Sequence, residues 1–376
     1  MIRYYDLGGD TQLNEIVMAG SHDAGITAGG ANVQTQSLDI AGQALAGVRV
    51  FDLRVAAAAS GKHGKTKQAT LRAFHADPKV MSGATKTRFI PELNRTETIT
   101  RTKLRGGAFG EGLAGMLQQA KSFVETYTSE FLILKFDKCK NWALIAETCT
   151  VELGNAIYKG TGNLNTRMLK NLKGKVICLF TPSGIAETPA HYLSGGGILG
   201  VKSLAGGGSY DPQYDGMQYY GKGGTSPFDP FKKIAQNEKK QTKLMKSAAA
   251  GNPEVIGMMY WTTTGLSESI RERNDGMWST KNVGKLDTLW RAGLDESINS
   301  RIANHIDPTS YASAPVLKAF LPNIVMIDFA DDTRCQRIYD LNQVAAVELT
   351  QAARRVDADV KRAQDLYAAL PRGARK

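Results

Sequence analysis

The sequence predicts an α/β fold, a (β/α)8 TIM barrel of irregular outline with a helical extension at its carboxyl end. Three observations lead there. The length of 376 residues suits one large barrel with insertions. Short apolar runs alternate with longer amphipathic ones, a βα rhythm. Eight runs qualify as strands, and most of them end in polar or small residues. A chain with 42% hydrophobic and 22% charged residues is able to bury a core. The catalytic domain is drawn at 1–340 and a helical tail at 341–376.

Taken in order, the expected strands are Ile16 to Ala19, Val48 to Val55, Thr70 to Phe74, Phe131 to Phe136, Lys175 to Phe180, Gly216 to Tyr220, Val255 to Tyr260 and Ile324 to Phe329. The third and sixth have the weakest patterns. Between strands, Gly112 to Thr126 places Leu113, Met116, Leu117, Ala120, Phe123 and Val124 at helical spacing, and Lys232 to Ala250 reads as a strongly basic helix. Both belong outside the barrel. Two segments break the rhythm: Pro78 to Arg105, rich in Lys, Arg and Thr, and the glycine-rich Ser194 to Gly208. Each is read as a βα loop, serving either as a lid or rim of the site or as a solvated insertion. The GGG runs at 195–197 and 206–208 lack the GK[ST] ending of a phosphate loop. Val344 to Leu370, Ala-rich and charged, reads as a closing helix packed on the barrel.

The net charge of +11 and pI near 9.3 favour an anionic partner: a membrane surface, a nucleic acid or a phosphorylated small molecule. No zinc-finger spacing, RNP-like signature or basic zipper is present, so nucleic acid is set aside. The expected partners are an anionic phospholipid surface and a small phosphorylated headgroup. Cys139, Cys149, Cys178 and Cys335 have no metal-ligand spacing and are read as buried reduced thiols. No apolar run approaches the ~20 residues of a membrane span. The amino terminus, MIRYYDLGGDTQLNE, lacks a signal peptide's apolar core. A cytoplasmic location, or export without a classical signal, with peripheral action at membranes, is expected.

Five segments carry the chemistry: 20–25 (GSHDAG), 51–54 (FDLR), 74–77 (FHAD), 134–137 (LKFD) and 327–329 (IDF). Each sits at the carboxyl end of an expected strand. In a closed parallel barrel those ends form one ring, so distant residues converge on a single pocket. One histidine at a strand end has an ordinary structural reading; two, flanked by carboxylates and an arginine, point to proton transfer. Phosphodiester cleavage needs a base, an acid and a cation to balance charge on the transition state. His22, His75 and Arg54 supply them. His63, His191 and His305 lie at no strand end and are read as surface or structural. Tyr260, Trp261 and Trp278 suit either an aromatic lip entering a lipid interface or core packing.

SHDAG, GVRVFDLRV, FHAD, SEFLILKFDK and NIVMIDFADD occur in the order found in the X-type catalytic domain of phosphatidylinositol-specific phospholipases C, which the chain resembles from about Glu15 to Asp340. The resemblance implies His22 as general base for the inositol 2-hydroxyl, oriented by Asp328. It implies His75 as general acid for the diacylglycerol oxygen, with Asp23 as carboxylate partner. Asp52 and Arg54, two apart on a strand, both face inward. Arg54 resembles the phosphate clamp of the metal-independent bacterial branch, where calcium-using relatives place a carboxylate. Lys135, Asp137, Tyr219, Tyr220 and Trp261 complete the expected substrate contacts.

Three departures accompany the match. Asp137 falls where bacterial members tend to carry lysine and calcium-dependent ones an acidic ligand. Asp23, Asp52 and Asp137 could then hold Ca2+ as an alternative to metal-free action, which the Arg54 guanidinium opposes. The inositol-binding arginine expected after the fifth strand is missing, since that stretch reads Cys178-Leu179-Phe180-Thr181-Pro182. Tyr219 and Tyr220 resemble the tyrosine that stacks on inositol, without the aspartate two residues before it. Other readings kept open are a metal-dependent phosphodiesterase for another headgroup, a non-catalytic barrel binding anionic membranes and, on biology, a bacterial effector.

Overall fold

Runs such as Phe-Leu-Ile-Leu-Lys-Phe and Lys-Val-Ile-Cys-Leu-Phe are apolar on both faces, the pattern of parallel strands covered inside and out. A computed structural model describes residues 1–76, 82–104, 106–221, 234–249, 254–262, 269–279 and 322–343, with 361, 362 and 365. In chain order the strands are β1 (Met18–Ser21), β2 (Val48–Leu53), β3 (Val55–His63), β4 (Thr66–His75), β5 (Ser82–Ile90), β6 (Arg95–Lys103), β7 (Ala108–Gly112), β8 (Phe131–Phe136), β9 (Lys175–Phe180), β10 (Ile198–Ser203), β11 (Gly216–Tyr220), β12 (Ile256–Trp261) and β13 (Ile324–Ile327). Eight of them, all parallel, close a barrel in the order β1-β13-β12-β11-β10-β9-β8-β2. The fold is the expected (β/α)8 barrel.

Helices α1 (Ile40–Ala46), α2 (Leu113–Thr126), α3 (Trp142–Leu153), α4 (Pro182–Glu187), α5 (Ile234–Ala249) and α6 (Ile270–Met277) lie in the connections. A seventh, α7, spans 332–343. The six apolar positions foreseen on α2 are all buried. Burying each large aliphatic side chain contributes about 1.5–3 kcal/mol, which holds the helix to the barrel. On α5, Asn237 and Gln241 are one turn apart and buried. They bond the backbone of Tyr260 and Thr262, tying the basic helix to β12. Residues 204–215 join β10 to β11 without a helix, which makes the barrel irregular.

Two strand assignments are corrected. Thr70 to Phe74 belongs to β4, outside the barrel, in a five-stranded sheet ordered β3-β6-β5-β4-β7. The missing barrel member is β10, inside the glycine-rich stretch 194–208. Gly200 there breaks the apolar alternation. A Cβ on Gly216, beside it, would come 1.9 Å from the Gly200 carbonyl oxygen. Close backbone approach thus requires glycine where the pattern wants a branched side chain. Pro78 to Arg105 is accordingly no bare loop, since β5 and β6 pair antiparallel from Ser82 to Lys103.

The boundary drawn at 340 falls within α7. Leu341 is buried, and Asn342 bonds both the N–H and the carbonyl of Val17, so the barrel unit extends at least through 343. Helix 344–370 lies outside the described residues apart from 361, 362 and 365.

Beneath the barrel, Arg49 of β2 is buried with its guanidinium 2.9 Å from Glu130. It donates to the carbonyls of Ile2, Ala44 and Val48, while Glu130 accepts from the backbone of Tyr4 and Tyr5. Replacing Glu130 with Ala leaves this guanidinium uncompensated and should cost about 3–5 kcal/mol in urea denaturation. Arg49→Met combined with Glu130→Leu should recover much of the loss.

Candidate active site

The carboxyl ends of β1, β2, β8 and β13 carry a charged ring. β1 ends at Ser21, and the chain turns at once: His22 donates its backbone N–H to Ile327, and Asp23 adopts a left-handed φ of 46°. Asp tolerates that region better than most residues. At the end of β13, Asp328 is followed by Phe329 at φ 49°. Both reversals aim a polar side chain across the barrel mouth.

His22 Nδ1 is 3.0 Å from Asp328 Oδ1, and its Nε2 lies 3.7 Å from Asp23 Oδ2. His75 Nδ1 is 2.8 Å from that same Asp23 Oδ2. Arg54 Nε stands 3.0 Å from Asp23 Oδ1, an ion-pair contact off the line of a hydrogen bond, because this oxygen has no hydrogen-bond partner. Ionised carboxylates only accept, so each Nδ1 is the donor, and neither Nε2 makes a hydrogen bond among the described residues.

β2 passes through Arg54 straight into β3, and β4 returns antiparallel beside it with Val55 opposite Ala73. Phe74 N–H bonds the Arg54 carbonyl. The register brings His75 back level with the end of β2. His75 therefore reaches the ring from the side sheet, a correction to its expected barrel-strand end, and Asp77 lies outside the described residues.

On the neighbouring wall, Lys135 is buried and donates to Asp52 Oδ1 at 2.8 Å, with Asp137 Oδ2 at 3.8 Å. The inward lysine is thus Lys135 on β8, while Asp137 lies just past the strand's end, one third exposed. The structure brings together His22, Asp23, Asp52, Arg54, His75, Lys135, Asp137 and Asp328. The alternative calcium ligands do not fit a shared ion: Asp23 faces Arg54 and His75, and the Lys135 ammonium sits between Asp52 and Asp137. Among the described residues no group of three or more His, Cys, Asp or Glu is placed to hold a metal.

Opposite this half the wall is neutral. Leu179 pairs in register with inward Lys135 and so faces inward, whereas Phe180 packs outward on Trp142 of α3. Tyr219 faces Lys135, and Tyr220, next along β11, alternates to the other side. Tyr260, expected in a lip or in the core and not in the site, is buried and meets the His22 ring edge-on at 6.1 Å. The inward alternation of its strand was the signal that could have found it. Trp261 is 0% exposed and packs in the core, which removes it as a substrate contact. Trp278 packs at the core's edge with Arg334 at 6.0 Å, so the aromatic lip is not formed by these residues. His63 and His191 are exposed, and His305 lies outside the described residues.

Burial pushes His22 down, but the Asp23 and Asp328 carboxylates outweigh it and raise its pKa to about 9. Burial pushes Asp23 up, and Arg54, His22 and His75 overcome it, holding Asp23 well below the usual carboxylate range. Burial raises Asp328, partly offset by His22. Burial would lower Lys135 and Arg54, yet Asp52 beside the first and Asp23 beside the second keep both cationic.

With this geometry in view, known proteins can be compared. The chain is similar to phosphatidylinositol-specific phospholipases C. A Staphylococcus aureus structure shares 15% identity over 89% of this chain and 95% of its own, with TM-score 0.46. One from Listeria monocytogenes shares 14% over 89% and 95%, with TM-score 0.45. A calcium-dependent enzyme from a Pseudomonas species shares 14% over 53% and 69%, with TM-score 0.32. No family profile and no curated protein matches the sequence. Similarity this low assigns no chemistry, which rests on the residues of the ring.

In an NMR titration, His22 should lose its proton near pH 9, and Asp328→Asn should bring that midpoint down toward the ordinary 6.5. Since the folded value is the raised one, the stability conferred by protonated His22 is full below about pH 6.5. It is lost as pH rises through about 9. An unmoved midpoint in Asp328→Asn would contradict the assigned contact.

Proposed function

We propose that this chain cleaves the phosphodiester of a phospholipid, phosphatidylinositol foremost, by paired histidine acid–base catalysis. The observation that carries the reading is Asp23. One buried carboxylate orients His75, faces Arg54 and lies 3.7 Å from His22, whose other side is held by Asp328. A barrel kept only for binding has no use for two histidines with their Nδ1 atoms fixed and their Nε2 atoms presented to one pocket.

The roles follow from the geometry. His22 Nε2 takes the proton of the attacking hydroxyl, which forms the new bond to phosphorus. The diacylglycerol oxygen leaves as His75 Nε2 donates a proton to it. Arg54 keeps its Nε against Asp23, and its terminal nitrogens have no hydrogen bond among the described residues, so they are available to two phosphate oxygens. Because Asp23 carries a negative charge between the histidines, it also favours the imidazolium that forms on each in turn. Lys135, Asp52, Asp137 and Tyr219 meet headgroup hydroxyls as charged or phenolic partners. No step needs a divalent cation, since Arg54 and Lys135 occupy the places one would take.

Phosphorus NMR of products from a panel of phospholipids, with and without chelator, tests substrate, product and metal together. Conversion of phosphatidylinositol to an inositol phosphate, unaffected by chelator, is the expected outcome; complete loss in chelator, restored by calcium, overturns the metal-free mechanism.

His22→Ala and His75→Ala should each lose about 100- to 10,000-fold in kcat while remaining folded. A p-nitrophenyl leaving group, which needs little protonation, should partly rescue His75→Ala and not His22→Ala. Wild-type activity in His22→Ala would sink the assignment.

Arg54→Lys should lose much of the activity, because an ammonium cannot span two oxygens as a guanidinium does. The kcat/KM profile should climb with pH through about 9, since His22 must shed its proton before acting as base. In Asp328→Asn that limb should move to lower pH.

A further inference from the structure

Positive charge is not spread evenly over this chain. Between Ser60 and Lys103 the sequence holds ten Lys and Arg against Asp77, Glu92 and Glu97, so these 44 residues carry +7 of the net +11. The described part of this segment lies in β4, β5, β6 and the end of β3, all strands of the side sheet, with the short turn between β5 and β6.

At the β3–β4 hairpin tip, Lys62 stands directly opposite Lys67, and Lys65 occupies the turn between them. All three are exposed, and none is within ion-pair distance of a carboxylate among the described residues. Like charges directly opposite on a ladder destabilise it, so folding supplies no reason for the arrangement. Some basic residues of the described surface are instead ion-paired: Lys170 with Asp10, Arg334 with Asp275, and Arg95 with Glu97 and Glu147.

The tip is also held in place. His63 stacks on Phe89 of β5 with ring centroids 4.0 Å apart, which sets exposed Lys86 and half-buried Arg88 beside the three lysines. Between them the surface shows Thr66, Thr85, Thr87, Thr96 and Thr98, hydroxyls suited to phosphate oxygens. Because β3 leaves the barrel at Arg54 and β4 returns at His75, the patch is joined to the catalytic ring by a hairpin arm of roughly 30 Å.

We propose that this outer face of the side sheet docks the protein on an anionic phospholipid membrane, through Lys62, Lys65, Lys67, Lys86 and Arg88. The choice of lipid over nucleic acid rests partly on the lipid substrate proposed above and partly on the patch itself. Its aromatic rings, His63 and Phe89, are stacked on each other rather than free to stack on bases. Its tip carries lysines, point charges without the bidentate geometry that reads bases.

The test uses the full chain and two variants, Lys62→Glu/Lys65→Glu/Lys67→Glu and the neutral Lys62→Gln/Lys65→Gln/Lys67→Gln. The Gln variant removes a like-charge cluster from exposed positions and the Glu variant inverts its sign, and thermal melts check that both fold. Partition onto phosphatidylglycerol–phosphatidylcholine vesicles should fall on the order of 100-fold in the Gln variant and further in the Glu variant, with a shallower salt dependence. Turnover of a short-chain, monomeric phosphatidylinositol should stay at the wild-type level in both. Unchanged vesicle partition in the Glu variant overturns the proposal. So does loss of DNA binding with vesicle binding intact, which assigns the patch to nucleic acid instead. If the wild type turns over no phosphodiester yet vesicle binding still depends on these lysines, the catalytic reading fails and the docking surface stands.

Discussion

The Asp23 carboxylate is the constraint on which the site depends. It is buried, so its charge must be met by partners rather than by water. Arg54, His75 and His22 come from three places: the end of β2, the end of β4 and the end of β1. A single anion in a dry position thereby joins the barrel to the side sheet. It also sets the protonation of the group beside it, since His22 is raised by the charges of Asp23 and Asp328 against the pull of burial. The left-handed backbone at Asp23 is retained because the surrounding strand ends leave the side chain this one direction.

Around that anion the pocket is divided. β1, β2, β8 and β13 supply charge, while β9 to β12 supply Leu179, Tyr219 and Tyr260 as a neutral wall. Such a division suits a reaction in which a phosphate is attacked on the charged side and a polyol rests against phenols. The pairing of Asp52 with Lys135 belongs to the same economy of charge: each carboxylate in the ring already faces a cation built into the chain. The side sheet extends this logic outward, since one hairpin both delivers His75 and carries the exposed Lys62, Lys65 and Lys67.

Much of this was legible in the sequence where local pattern and chemistry coincide. The runs of β8, β9 and β13 are largely apolar on both faces, and β2, β8 and β13 end in chemistry-bearing residues, so both barrel and ring could be read from them. His22, Asp23, Asp52, Arg54, His75 and Asp328 were found because strand-end motifs recur in order. Trp261 and Tyr220 were misplaced because a one-residue shift along a strand reverses a side chain's direction, and short motifs do not state the register. Lys135 and Asp137 show the same limit, with the lysine at the inward position and the acid beyond the strand.

By itself the sequence determined the fold class, the set of titratable groups and their order along the chain, because these follow from periodicity and residue type. Only the tertiary structure decided which strand closes the barrel. Thr70 to Phe74 reads as a barrel strand and Ile198 to Ser203 as part of a loop, yet the latter fits because Gly200 and Gly216 let two backbones approach. Tertiary structure also decided which cation meets which carboxylate: Arg54 for Asp23, and Lys135 for both Asp52 and Asp137. That outcome depends on distances between groups as much as 306 positions apart, such as His22 and Asp328, which no local pattern encodes.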